Sequence, residues 1–120
     1  MAAPNRFRSE SRSNEHGKLY EPKIARRIGA RLTPNSGAMV GAKGDMTKDR
    51  WLLESKTTKD ASLSIQLSWL VKITEEAQAK SKIPSLLFSF VLPDGRPKPN
   101  AETEWVAVPL EVWKELISGD

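Results

Sequence analysis

The sequence predicts a single α/β domain with a mixed central β-sheet flanked by helices. Two observations support this prediction: amphipathic stretches with apolar residues at helical spacing, and short apolar runs of strand length between them. Turn-forming residues separate the segments, and no segment is repeated elsewhere in the chain. The predicted order is helix, three strands, helix, two strands and a final helix, which gives one sheet with helices packed against it.

The first predicted helix is short and covers about residues 19–28. Tyr20, Ile24 and Ile28 recur at a spacing of four, which is typical of one buried helical face. Pro22 fits the first turn of a helix, where its missing N–H group costs little.

Three strands are expected next. Residues 30–34 predict a short strand, and residues 35–44 contain three glycines and predict a loop. Residues 44–58 then predict two strands around a tight turn at Lys48–Arg50. Because side chains alternate along a strand, the second of these strands has two distinct faces. They are Leu52, Glu54 and Lys56 on one side, and Trp51, Leu53 and Ser55 on the other.

The second helix has the clearest amphipathic pattern and is expected from residue 65 to about residue 80. Its apolar residues fall at positions 65, 69, 70, 73 and 77. Asp60 and Ser62 are both candidate N-caps for this helix.

The last part of the chain predicts two further strands and a helix. Residues 85–92 form a continuous apolar run that predicts a buried central strand. A Pro/Gly-rich turn region follows at residues 92–103. Residues 104–108 predict the last strand, and residues 109–117 the last helix, with Pro109 near its start.

Composition narrows the setting and the class of protein. The chain has 120 residues, 38% of them hydrophobic, which suits one domain with a modest core. The absence of cysteine excludes disulfides and thiolate metal sites. No apolar run is long enough to span a membrane, and the N-terminus lacks the apolar core of a secretory signal. We therefore expect a cytoplasmic protein, in the host cytoplasm if a phage encodes it.

Charge is unevenly distributed. Residues 1–31 carry eight basic residues against three acidic ones, whereas residues 91–120 carry three basic residues against six acidic ones. A basic N-terminal third suits contact with a phosphate backbone, although it is equally compatible with a solvated basic tail. We expect residues 1–14 to be a flexible basic arm and residues 15–120 to be the single folded domain.

Asp45, Glu54 and Lys56 form the set of residues that best suits a chemical function. Two carboxylates on neighbouring strands suit Mg²⁺, which prefers oxygen ligands and retains several waters. Glu54 and Lys56 lie about 6.6 Å apart along one strand face, so the ammonium group can act next to the metal. The backbone carbonyl of Ser55 is a further candidate ligand. This chemistry is that of metal-assisted phosphodiester hydrolysis.

Other chemistries lack the residues they need. The glycine-containing loop does not match the phosphate cradle of nucleotide-binding proteins, so no nucleotide cofactor is expected. His16 is the only histidine, and it lies in a polar segment. A Ser-His-Asp triad or a histidine-based zinc site is therefore not expected.

At this point the chain resembles the PD-(D/E)XK nuclease superfamily, and within it the archaeal-type Holliday junction resolvases. The likeness covers about residues 17–92. Its motifs in this sequence are Gly17-Lys18-Leu19-Tyr20-Glu21, the helix-ending Gly29, Ser36-Gly37-Ala38, Asp45, and Glu54-Ser55-Lys56. The proline that usually precedes the aspartate is replaced here by Gly44.

The resemblance implies a restriction-endonuclease-like fold and a role for each matching residue. Asp45 and Glu54 would bind Mg²⁺, with Mn²⁺ as a substitute, and Lys56 would assist the attacking water. Glu21 would reach the metal or its water from the first helix, with Glu15 as the alternative carboxylate. Two looser matches are also implied as catalytic residues: Ser36 in a loop near the scissile phosphate, and Gln66 on the second helix.

The resemblance also implies a homodimer that places two metal sites on opposing strands of a four-way DNA junction. The basic residues expected to contact DNA phosphates are Arg6, Arg8, Arg12, Lys18, Lys23, Arg26, Arg27, Arg31, Lys43 and Lys59. Two alternatives remain open at this point. One is a nuclease of the same superfamily that acts on nicks, flaps, single strands or damaged DNA, and the other is a non-catalytic DNA-binding module.

Overall fold

The computed structural model describes residues 15–32 and 44–119, and the expected arm lies outside them. The described chain is α/β, with three helices and one five-stranded mixed sheet, which confirms the predicted class and is compatible with a restriction-endonuclease-like arrangement. In chain order, the elements are α1 (Glu15–Ile28), β1 (Arg31–Leu32), β2 (Gly44–Lys48), β3 (Trp51–Thr58), α2 (Leu67–Ala79), β4 (Ile83–Phe90), β5 (Glu104–Ala107) and α3 (Leu110–Ile117).

The strands lie side by side in sequence order, from β1 at one edge to β5 at the other. β3 and β4 are parallel, and the other neighbouring strands are antiparallel. A parallel pair needs a crossover connection, and α2 provides it. The tight turn expected between β2 and β3 is confirmed, with Asp49 in a left-handed conformation at φ 52°.

Each face of the sheet is covered by one helix. α1 packs against one face, where the buried cluster is Tyr20, Ile24, Ala25, Met46, Leu53, Leu87 and Val91. α2 packs against the other face, where the cluster is Leu52, Ile73, Ala77 and Leu86. Because Glu54 and Lys56 share a strand face with Leu52, their side chains lie on the α2 side of β3.

The start of α1 was predicted too late. The helix begins at Glu15 rather than near residue 19, so Pro22 lies inside it instead of in its first turn. The extra turn packs against the β4–β5 connection, where a Cβ placed on Gly95 would lie 3.2 Å from the carbonyl oxygen of His16. His16 is only 5% exposed despite its polar sequence neighbours.

The predicted N-caps of α2 were also wrong. The N-cap is Gln66, whose side chain makes no capping hydrogen bond, and neither Asp60 nor Ser62 takes that position. The Nζ of Lys98 donates hydrogen bonds to the carbonyl oxygens of Lys59 and Asp60, at 2.6 and 3.2 Å. These bonds tie the start of the connection between β3 and α2 to the β4–β5 loop.

None of the helices in the described ranges is long and apolar enough to cross a membrane.

Candidate metal centre

Asp45 and Glu54 lie directly opposite each other on β2 and β3. Residues opposite each other on antiparallel strands place their side chains on the same face, with Cβ atoms about 5 Å apart. Both residues are buried, with exposures of 8% and 3%. The predicted pair of carboxylates is therefore brought together on the face of the sheet that α2 covers.

Glu76 on α2 is a third member that the sequence analysis missed. One carboxylate oxygen from each of Asp45, Glu54 and Glu76 lies within 4.8 Å of the others. Glu76 follows Ile73 by three positions and precedes Ala77, and both of those residues are buried against the sheet. The sequence signal that could have identified Glu76 is therefore its position next to the buried apolar residues of the helix that connects the two parallel strands.

One oxygen of each of these three carboxylates lacks a hydrogen-bond donor. Among the described residues, no group donates to Asp45 Oδ1, Glu54 Oε2 or Glu76 Oε1, although all three atoms are buried. Lys56 and Lys72 form only long ion pairs with Glu54 and Glu76, at 3.5 and 4.0 Å, and buried charge that is incompletely compensated costs stability. A cation at this point would satisfy all three oxygens, so the residues present fit a metal ion.

The donor set indicates which class of metal fits. All three candidate ligands are carboxylates, and the chain has no cysteine. The one histidine is not a member of this group. Oxygen-only sites suit hard cations such as Mg²⁺ and Mn²⁺ better than zinc or copper.

Lys56 is held next to the carboxylates. Its Nζ lies 3.5 Å from Glu54 Oε2, an ion pair at a distance too long for a strong hydrogen bond. The same Nζ lies 4.5 Å from the ring centroid of Trp69 on α2, within the range of a cation–π interaction. Trp69 therefore helps to place the ammonium group at the edge of the cluster.

Glu21 approaches from α1 but does not belong to the cluster of three. Burial and the charge of Asp45 raise the pKa of Glu21 from 4.5 to about 7, while Lys56 acts in the opposite direction. Its carboxylate lies near Gly17, where an added Cβ would stand 3.8 Å from Glu21 Oε2 and 3.0 Å from Thr57 Oγ1. Glycine at position 17 thus allows α1 to approach β3 closely.

A hydrogen-bond network fixes α1 on the far side of the sheet. The hydroxyl of Tyr20 donates to Glu104 Oε2 at 2.7 Å and accepts from Ser89 Oγ at 2.8 Å. Arg27 donates to the other oxygen of Glu104, also at 2.7 Å. One carboxylate on β5 therefore holds two positions of α1 that lie seven residues apart.

The local charges favour a divalent cation. Burial and the adjacent Asp45 raise the pKa of Glu54 above its ordinary range, against the attraction of Lys56 and Lys72. Asp45, Glu54, Glu76 and Glu21 supply four carboxylates, whereas Lys56 and Lys72 supply two ammonium groups. When all are ionised, the formal balance is −2, which is the charge that Mg²⁺ would neutralise.

The structure does not place the other predicted site residues in the carboxylate cluster. The Ser55 side chain belongs to the opposite face of β3, and its buried hydroxyl has no hydrogen-bond partner in the described ranges. Gln66 is exposed at the start of α2, and Glu15 begins α1. Ser36 lies outside the described residues. The structure therefore brings together Asp45, Glu54 and Lys56, with Glu21 nearby.

The predicted DNA-contacting residues divide into two groups. Arg6, Arg8, Arg12 and Lys43 lie outside the described residues. The remaining residues are exposed, namely Lys18, Lys23, Arg26, Arg27, Arg31 and Lys59. Among these, Arg27 forms an ion pair with Glu104 at 2.7 Å, so its charge is already engaged within the protein.

No family model, curated protein or solved structure matches this chain. What the centre can do follows from its own geometry: three convergent carboxylates, an adjacent ammonium group and a fourth carboxylate, Glu21, whose pKa the charge of Asp45 helps to raise.

Replacing Glu76 by Gln tests the ligand that the structure adds. We expect Mg²⁺ affinity to fall about 10–100-fold, because one of three charged ligand groups is lost. Isothermal titration calorimetry with Mg²⁺ or Mn²⁺ measures the change. Glu75→Gln is the matched control, since Glu75 is an exposed neighbour on the same helix. Equal affinities for the two variants would exclude Glu76 as a ligand.

Proposed function

We propose that this chain is a Mg²⁺-dependent, structure-selective DNA endonuclease that acts on four-way junctions in the manner of a Holliday junction resolvase. The observation that carries the proposal is the convergence of three carboxylates from β2, β3 and α2, each with one buried oxygen that accepts no hydrogen bond, with Lys56 3.5 Å from one of them. Such a set has little use as structure, because it costs stability unless a cation is bound.

The residues present would divide the chemistry among them. Asp45, Glu54 and Glu76 would hold the ion, and Mn²⁺ could replace Mg²⁺. When bound, the ion would neutralise charge on the scissile phosphate and lower the pKa of an attacking water. Lys56 would stabilise the negative charge that develops on the phosphate oxygens. Glu21 would accept a hydrogen bond from water at the rim and help to orient it.

The choice of DNA as substrate rests on the distribution of charge. The basic residues of α1 and its flanks would contact backbone phosphates, which positions a protein on DNA without reading sequence. Contacts of this kind suit an enzyme that recognises DNA shape rather than a base sequence. A homodimer would supply two centres for paired cuts, and we place the enzyme in the cytoplasm, or in the host cytoplasm if it is phage-encoded.

A cleavage assay tests the proposal. Wild type and Asp45→Asn are incubated with Mg²⁺ and four labelled substrates: a four-way junction, a flap, a nicked duplex and single-stranded DNA. We expect paired nicks in the junction by wild type and at least a 1,000-fold loss in Asp45→Asn, on the order expected when a metal ligand is removed. Asp60→Asn removes an exposed carboxylate and serves as the control.

Each other outcome has a defined meaning. Cleavage of flaps, nicks or single strands in preference to the junction would replace the junction proposal with the broader nuclease one. DNA binding without cleavage of any substrate, in Mg²⁺ or Mn²⁺, would overturn both and indicate a non-catalytic DNA-binding module.

A further inference from the structure

The C-terminal helix α3 stands apart from the rest of the described chain. None of its residues is buried, and it forms no substantial packing with any other described helix or strand. Leu110, Trp113 and Ile117 are 67%, 51% and 60% exposed and share one helical face. An isolated helix of eight residues is only marginally stable in water. The apolar face of α3 therefore requires a surface to pack against.

A groove of suitable character lies close to the start of α3. It has a volume of about 360 Å³ and lies between α2, β4 and the segment that follows β5. Its apolar walls are formed by Ile65, Leu70, Ile73, Pro84, Leu86 and Val108. Ile65 and Leu70 are 48% and 40% exposed. The groove is thus an open apolar surface of the kind that α3 needs.

The helix does not fill the groove of its own chain. Val108 and Pro109 line the groove, and α3 begins at the next residue. No residue of α3 lines the groove and none is buried, so α3 leaves this groove open.

The charge of this region disfavours DNA as the occupant. The last thirty residues carry three basic and six acidic side chains, and every residue lining the groove is uncharged. Phosphate would find no cation here, so the surface suits a protein partner.

The apolar side chains that would meet lie on α3 and around the groove. On α3, the exposed ones are Leu110, Trp113, Leu116 and Ile117, and Ile65 and Leu70 are exposed at the groove. In a symmetric pair each chain buries both sets, so the apolar area removed from water is twice that of a single contact. Because the helix and the groove belong to the same chain, a twofold-symmetric pair would fill both grooves at once.

We propose that α3 of one copy packs into the groove of a second copy, and the reverse, giving a dimer with exchanged C-terminal helices. The inference does not depend on the proposed nuclease activity, because association is measured without DNA or metal. A protein that dimerises in this way but cleaves nothing would support the interface and overturn only the activity.

Disulfide trapping tests the exchange directly, because the chain contains no cysteine. Leu70→Cys and Trp113→Cys are made in separate chains with different tags, mixed and oxidised. We expect a disulfide between the two differently tagged chains. Leu70→Cys mixed with Glu115→Cys is the control, because Glu115 is exposed and lies on the side of α3 opposite Trp113 and Ile117. Equal yields from the two mixtures, or no disulfide, would overturn the exchange.

Light scattering provides the second measurement. Wild type should have a mass of about 27 kDa, twice the 13.4 kDa of one chain, and Trp113→Asp should shift it to 13.4 kDa. Circular dichroism checks that the Trp113→Asp protein stays folded. We expect it to do so, because α3 forms no substantial packing with the other described helices and strands. The measurement is made at about 100 µM, well above the Kd of a stable dimer. A wild-type protein that is monomeric at this concentration would contradict the proposal.

Discussion

Replacing Glu54 by Gln is expected to abolish DNA cleavage and, at the same time, to stabilise the metal-free protein. Activity should fall at least 1,000-fold, equivalent to roughly 4 kcal/mol of barrier, because a ligand of the proposed metal is lost. The free energy of unfolding at pH 8 without metal should rise by about 1–3 kcal/mol, because a buried carboxylate beside Asp45 becomes neutral. Urea unfolding and the junction cleavage assay measure the two effects.

The matched control for this change is Glu102→Gln. Glu102 is exposed, so the same loss of charge should leave both stability and cleavage nearly unchanged. A Glu54→Gln protein that is less stable than wild type in the absence of metal would show that Glu54 is structurally satisfied. The main argument for a metal centre, that its carboxylates destabilise the protein without a metal, would then fail.

Stability without metal should fall as the pH rises from 5 to 8, and Mg²⁺ should reverse the fall. The pKa of Glu21 rises from 4.5 to about 7 on folding, so the folded state binds the proton more tightly than the unfolded chain. Its contribution is present below pH 4.5 and is lost as the pH rises through about 7. Glu54 acts in the same direction, because its pKa is also raised in the folded protein.

The size of this effect can be estimated from Glu21. Allowing for its partial exposure, it should contribute about 2 kcal/mol, or roughly 5–10 °C in Tm for a domain of this size. Differential scanning fluorimetry at pH 5, 6, 7 and 8 measures the change in Tm with pH, and repeating it with about 10 mM Mg²⁺ measures the reversal. This Mg²⁺ concentration is roughly ten times a millimolar Kd, so the site would be mostly occupied. The double variant Glu21→Gln, Glu54→Gln should flatten the metal-free profile. A metal-free Tm that is highest at pH 8 would contradict the expected linkage.

The strands and the paired carboxylates were predictable because they depend on local patterns. Alternation along β3 placed Glu54 and Lys56 on one face, and the tight turn before Trp51 fixed the register that sets Asp45 opposite Glu54. Both features follow from the two-residue period of a strand. The location of α2 between two parallel strands likewise follows from the order of the elements.

The features that were missed depend on contacts between distant parts of the chain. The first turn of α1 packs closely against Gly95, almost eighty residues later, and Lys98 donates a hydrogen bond to the carbonyl oxygen of Lys59 in the connection before α2. Glu76 could not be assigned as a ligand because its helical pattern does not show how α2 is rotated over the sheet. The exposure of α3 could not be predicted either. Its amphipathic sequence predicts that one face packs against another surface, but it does not show which surface that is.

The carboxylate of Glu104 has a mechanical consequence for the proposed enzyme. By bonding to Tyr20 and Arg27, it braces α1 against the edge strand across two helical turns. Glu21 follows Tyr20 directly, so its position relative to the metal cluster is set before any DNA arrives. In the proposed enzyme, DNA rather than α1 would then make most of the adjustment on binding, which a flexible branch point does at lower cost than a continuous double helix.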